Sequence, residues 1–160
     1  MLPLSWKFNI EHIFTENSTY KPSSMITKRG KRHHFLYKNP KVGEYQEKII
    51  SNLCSILGEV DIPLPENTFG FVNEWKFGII SQRYWNMDVT NCIKAVEDAY
   101  IRFFHKRKRD FDDSQVLANV GIKLPTENIY YISCTTYFLD SADEVDFLYK
   151  NSFLSRFFQD

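Results

Sequence analysis

The chain of 160 residues reads as a single α+β domain, a mixed sheet covered by two helices in the order β-α-β-α-β-β. Three observations predict this. Trp6, Phe8 and Ile10 recur at two-residue spacing, the period of a half-buried strand. Tyr45, Ile49, Leu53, Ile56 and Leu57, and later Ile93, Val96, Tyr100 and Phe103, recur at spacings of three and four, the period of amphipathic helices. Runs rich in aromatic and β-branched residues separate and follow those helices, as strands of a mixed sheet would.

Taken in order, the first strand has Lys7 and Asn9 at the alternate positions between its apolar residues. Residues 20–40 follow as a basic, turn-rich stretch broken at Pro22, Gly30 and Pro40. A helix then covers residues 42–57, and Gly58 stands where a C-terminal cap belongs. Residues 69–80 read as a strand. In the next helix Ile93, Val96, Tyr100 and Phe103, with Phe104, line one face, and Asn91, Lys94 and Asp98 line another. Strands at residues 115–123 and 129–139 are joined across Pro125-Thr126-Glu127-Asn128. From Ser141 a short amphipathic helix carries Phe147, Leu148, Phe153, Leu154, Phe157 and Phe158. Residues 1–140 thus form the principal domain, and residues 141–160 an aromatic extension that belongs to it or to a dimer interface.

Composition removes several classes. The chain is 43% hydrophobic and 16% aromatic, which rules out a disordered segment. Six Gly and six Pro are too few for collagen-like or low-complexity sequence. No apolar run approaches the roughly eighteen residues of a membrane span, and the first residues lack the basic-then-apolar pattern of a signal peptide. Cys54, Cys92 and Cys134 are widely spaced, which argues for reduced, buried thiols in a cytosolic protein rather than a disulfide or zinc framework.

The net charge of zero conceals segregation. Residues 21–48 hold eight Lys or Arg against two Glu, with His33 and His34 among them. Arg102, Lys106, Arg107, Lys108 and Arg109 form a second cluster, whereas Asp140, Asp143, Glu144 and Asp146 gather near the C-terminus. Two basic segments are what a polyanion binder carries, and a solvated loop is the structural alternative.

The sequence has no phosphate-binding loop, dinucleotide fingerprint, H-E-x-x-H or nucleophile elbow. What remains is carboxylates at element ends: Asp88 where a helix begins, and Asp112 with Asp113 just before a strand. Such acids, meeting at one sheet edge, would repel unless a cation such as Mg²⁺ neutralised them, and Lys94 would then reach a phosphate or a water. Each also has a structural reading. Asp88, Thr90 or Asn91 caps the helix, Asp112-Asp113-Ser114 makes an Asx-turn, and Lys94 pairs with Asp98 on the surface.

The stretch Asp88-Val89-Thr90-Asn91-Cys92-Ile93-Lys94-Ala95-Val96-Glu97-Asp98-Ala99 resembles the helix-start motif of RusA-type Holliday junction resolvases, D-x-D-N-x-x-K-x-x-x-D-A. Asp112-Asp113-Ser114-Gln115-Val116 resembles that family's second motif, D-D-x-Q-V, and Lys123 fits the lysine that closes the following strand. Arg29-Gly30-Lys31-Arg32, leading to Tyr45, is similar to the family's basic segment before its first helix. The resemblance covers residues 20–125 and leaves out the extension after Ser141.

It implies that residues 1–140 are a RusA-like nuclease domain, and that the protein is a Mg²⁺-dependent homodimeric endonuclease cutting four-way DNA junctions in recombination and repair, with Mn²⁺ as a substitute. It also implies a cytoplasmic, nucleoid-associated location, in the host when phage-encoded. Carried over by position, Asp88, Asp113 and Lys94 are catalytic, and Asp88, Asp112, Asp113 and Thr90 surround the metal. One departure stands out: Thr90 occupies the place of an acid, so the site loses a negative charge. Lys28, Arg29, Lys31 and Arg32, with Lys106, Arg107, Lys108 and Arg109, would hold the phosphate backbone of branched DNA. Two other readings differ in class: a junction-binding protein that cuts weakly, supported by Thr90, and a structural or protein-interaction module, supported by the aromatic extension.

Overall fold

The computed structural model describes residues 2–15, 20–58, 68–107 and 113–151. In chain order its elements are β1 (Leu2–Ile10), β2 (Tyr20–Ile26), β3 (Arg32–Lys38), α1 (Pro40–Leu57), β4 (Gly70–Ile80), a single turn α2 (Ser81–Tyr84) and α3 (Val89–Lys106). A short 3-10 turn at Asp113–Gln115 then leads into β5 (Val116–Thr126), β6 (Tyr130–Leu139) and α4 (Ala142–Asn151).

The two-residue period of the first strand is realised in β1, where Trp6, Phe8 and Ile10 are buried and Ser5, Lys7 and Asn9 are exposed. β4 repeats it: Phe71, Asn73, Trp75, Phe77 and Ile79 all turn to the inner face. The sheet order is β1-β6-β4-β5, with β6 antiparallel to both neighbours and β4 parallel to β5. A mixed sheet is thus what the strand order makes.

Both helices begin and end on recognisable chemistry. Asn39 caps α1 by accepting from the Lys41 N–H at 3.2 Å, Pro40 takes the first helical position, and Gly58, at φ +58°, ends it. α1 buries Val42, Tyr45, Ile49, Ile50 and Leu53, and α3 buries Cys92, Ile93, Val96, Tyr100, Phe103 and Phe104. These faces, with the inner residues of β1, β4 and β6, make one core cluster. Trp75 and Tyr100 meet edge to face in it, ring centroids 5.8 Å apart. Across the helix pair, Glu47 of α1 accepts from both Arg102 and Lys106 of α3.

The structure corrects the sequence reading in three places. Residues 20–40 are not an irregular stretch but a β2–β3 hairpin: Pro22 lies within a strand opposite Leu36, and Gly30, at φ +72°, forms only the turn. α2 adds a helical turn before α3. Cys54 is exposed, because it follows buried Leu53 by one residue and so lies about 100° further round α1. The helix expected after Ser141 is present as α4, with Leu148 buried and Phe147 exposed, while Phe153, Leu154, Phe157 and Phe158 lie outside the described residues.

The thiols should therefore divide. Burial pushes the Cys92 thiol up to about 11 and raises Cys134 as well, whereas Cys54 is open to reagent. A disulfide-exchange thiol reagent should label Cys54 rapidly in the native protein and reach Cys92 and Cys134 only as denaturant is added, with stoichiometry read by absorbance and sites by mass spectrometry.

Candidate functional site at the start of helix α3

After α2 the chain passes through Trp85, Asn86 and Met87 in turn and extended conformation, reaching Asp88 at φ −82° and ψ 128°. The Asp88 carboxylate accepts from the Thr90 N–H at 2.8 Å, and its carbonyl accepts from the Cys92 N–H at 3.2 Å. Asp88 is therefore the N-cap of α3, the structural reading of this residue, with Oδ1 engaged in the cap.

Lys123 braces the same segment. Its ammonium donates to the carbonyls of Tyr84 and Met87, at 2.8 Å each, and lies 4.6 Å from the Tyr84 ring centre. In sequence Lys123 is marked only by the motif it matches; its place across a parallel strand pair is what lets it hold the turn that carries Asp88. Trp85 beside it is 84% exposed and meets Tyr84 edge-on at 5.1 Å, an aromatic on the open surface that periodicity had no means of marking.

Downstream, Thr90, Lys94 and Glu97 stand about one turn apart along α3 and face Asn119 and Gly121 of β5 across a groove of about 470 Å³. α3 comes this close because β5 has no side chain at Gly121: a Cβ there would lie 2.6 Å from Ile93 Cδ1 and 2.9 Å from Val89 Cγ2. Asn119 holds Glu97, its amide donating to the carboxylate at 2.7 Å. The Asn119 carbonyl in turn accepts from Trp75 Nε1 at 2.8 Å and Asn73 Nδ2 at 3.1 Å. Asn73, fully buried, accepts from the Thr136 hydroxyl at 2.8 Å, and Thr136 shares a 2.9 Å bond with the Tyr100 hydroxyl. A continuous polar chain thus crosses the core from β6 to Glu97 in the groove.

The two acidic motifs do not meet within the chain. β5 runs parallel to β4, so Val116 lies beside Phe71 at one end of the sheet while Lys123 reaches Met87 and the start of α3 at the other. The seven steps from Val116 to Lys123 span about 23 Å at the usual strand rise, and Asp113 precedes Val116 by three residues more. Asp113 is placed by its backbone alone, and Asp112 lies outside the described residues. Ligand oxygens lie within about 2.1 Å of a Mg²⁺ ion, so Asp88 and Asp113 of one chain do not fit a shared ion. The expected convergence at one sheet edge is corrected on that ground. Among the described residues no three His, Cys, Asp or Glu are grouped to hold a metal.

The two basic clusters also part company. Lys28, Arg29, Lys31 and Arg32 are all exposed on the hairpin. Lys106, by contrast, lies 3.0 Å from Glu47, and Arg107 donates to the Gly58 carbonyl and lies 4.6 Å from the Phe103 ring centre. These two tie the C-terminal end of α3 to α1 and to its own core face. Lys108 and Arg109 lie outside the described residues. No helix among the described residues is long and apolar enough to cross a membrane.

No protein-family model and no curated protein matches the chain.

The polar chain supplies a stability test. Asn73→Ala takes from the buried Thr136 hydroxyl its Asn73 acceptor, and from the Asn119 carbonyl one of its two donors, the Trp75 bond remaining. The variant should lose about 1–3 kcal/mol, read as a lower urea midpoint at unchanged slope.

Proposed function

We propose that the protein acts on branched DNA as a homodimeric, Mg²⁺-dependent endonuclease of the RusA type. The observation that carries the reading is the face of α3 on which Thr90 and Lys94 open to one groove behind the Asp88 cap, the spacing of the family's motif, with Lys123 bracing the turn before it. The exposed cations Lys28, Arg29, Lys31 and Arg32 supply sequence-independent affinity for phosphates. Lys94 offers a charge for the phosphate to be cut, and Trp85 offers a flat apolar surface on the turn before α3.

Because Asp88 and Asp113 stand toward opposite ends of the sheet within one chain, a centre that uses both takes them from two copies. A two-fold dimer brings the start of α3 of one copy to the start of β5 of the other, and makes two equivalent centres for two symmetric cuts. The second reading, junction binding without cutting, is favoured by Asp88 spending an oxygen on its cap and by Thr90 in place of an acid.

A nicking assay on labelled four-way junctions, with and without Mg²⁺, separates them. Cutting by the wild type that Asp88→Asn and Asp113→Asn abolish, and that Thr90→Asp shifts to lower Mg²⁺, supports the enzyme. Junction binding with no cutting under any of these conditions supports the second reading.

Mixing tests the shared centre. Asp88→Asn and Asp113→Asn chains, inactive alone, should on mixing and re-pairing recover roughly one quarter of wild-type nicking, since half the dimers then hold one intact centre. No recovery, or a monomer by sedimentation in the presence of junction DNA, would count against it.

A further inference from the structure

The β2–β3 hairpin is a two-stranded sheet of its own, with no hydrogen-bonded neighbour in the four-stranded sheet. From Ser24 to His34 every side chain but that of Thr27 is exposed. Two strands alone are marginal in water, yet this pair displays Met25 and Ile26, 56% and 67% exposed, to solvent. Its tip is well tied: the Thr27 N–H donates to the Lys31 carbonyl at 2.9 Å, and the Gly30 N–H to the Thr27 carbonyl at 2.8 Å. Lys28, Arg29, Lys31 and Arg32 have no ion pair among the described residues. The hairpin is thus a defined ribbon carrying free cations and bare apolar side chains at one end.

We propose that this hairpin enters the major groove of duplex DNA, reading base edges as well as binding phosphate. The inference rests on the DNA-binding part of the reading above and deepens it. The major groove, about 12 Å wide, admits a two-stranded ribbon, and the minor groove, about 6 Å, does not. The register sets the faces: Ile26 lies opposite Arg32 and Ser24 opposite His34 on one, with Met25 opposite His33 on the other. The first face presents a planar guanidinium, suited to guanine O6 and N7, beside an aliphatic side chain suited to a thymine methyl. Lys28, Arg29 and Lys31 at the turn reach phosphates on the groove walls. Residues 24–34, the turn-proximal part of the ribbon, hold no Phe, Tyr or Trp, so this part offers neither the stacking platform of a single-strand binder nor the aromatic anchors of a membrane-surface segment.

The test is dimethyl sulfate footprinting, which modifies guanine N7 in the major groove, on four-way junctions and plain duplexes bound by the full chain. Wild type should protect guanine N7 within its site, and Arg32→Ala should remove that protection. Met25→Ser with Ile26→Ser should weaken binding severalfold at an unchanged salt slope. Lys28→Ala with Arg29→Ala and Lys31→Ala should flatten the slope of log K against log salt by about three units. These side chains are exposed, so melting curves of all variants should overlay wild type.

Binding that leaves N7 reactive, or protection that the hairpin variants do not alter, overturns the groove inference while leaving DNA binding intact. No binding to either DNA overturns both. Affinity for anionic phosphatidylserine vesicles, lost in the Met25→Ser and Ile26→Ser variant, with none for DNA, would make the hairpin a membrane-surface device and overturn the proposal.

Discussion

Because β4 and β5 lie side by side and parallel, the chain between them must return the whole length of the sheet, and α3 is that return. Eighteen helical residues span about 27 Å, about three quarters of the roughly 36 Å of the 11-residue strands they connect. Everything distinctive about the candidate site follows from this crossover. It sets Asp88 at the end of the sheet where β4 leaves off, and the start of β5, with Asp113, at the other. It lays the Thr90–Lys94–Glu97 face along β5, where Gly121 and Asn119 shape the groove.

The crossover is held by two devices. At its start, Lys123 bridges from β5 to two carbonyls of the turn before Asp88, so the end of one strand fixes where the helix begins. Midway, Asn119 joins Glu97 of α3 to Trp75 and Asn73 of β4. A polar side chain in a core is costly unless its bonds are made, and the chain through Asn73 and Thr136 makes them. Its members accept bonds only in one register of three strands, so it also disfavours slippage that an all-apolar core would tolerate.

Charge is divided in the same way. The cations near the end of α3 are taken up by Glu47, by the Gly58 carbonyl and by the Phe103 ring, which closes α1 against α3. Those of the hairpin face solvent without a carboxylate partner among the described residues. The described cations near the end of α3 are thus engaged within the fold and those of the hairpin are exposed, though in composition the two clusters look alike.

Local patterning alone determined much of this. The periods of β1, α1 and α3, the cap at Gly58 and the caps available at Asp88 were legible, because each depends on residues within one or two turns of one another. The α+β class followed from their order. The hairpin at residues 20–38 was not legible, since Pro22 and Gly30 are breakers wherever no partner strand accommodates them, and only pairing with β3 decides that they sit in a strand and its turn. The exposure of Cys54 depended on which side of α1 met the core. The distance between the two aspartate motifs was beyond reach of sequence altogether. Spacing along a chain says that two acids lie at the ends of elements, but which ends meet depends on whether the strands run parallel or antiparallel. That direction is chosen by non-local hydrogen bonding and burial, where Phe71, Trp75 and Ile79 find their places against helices from elsewhere in the chain.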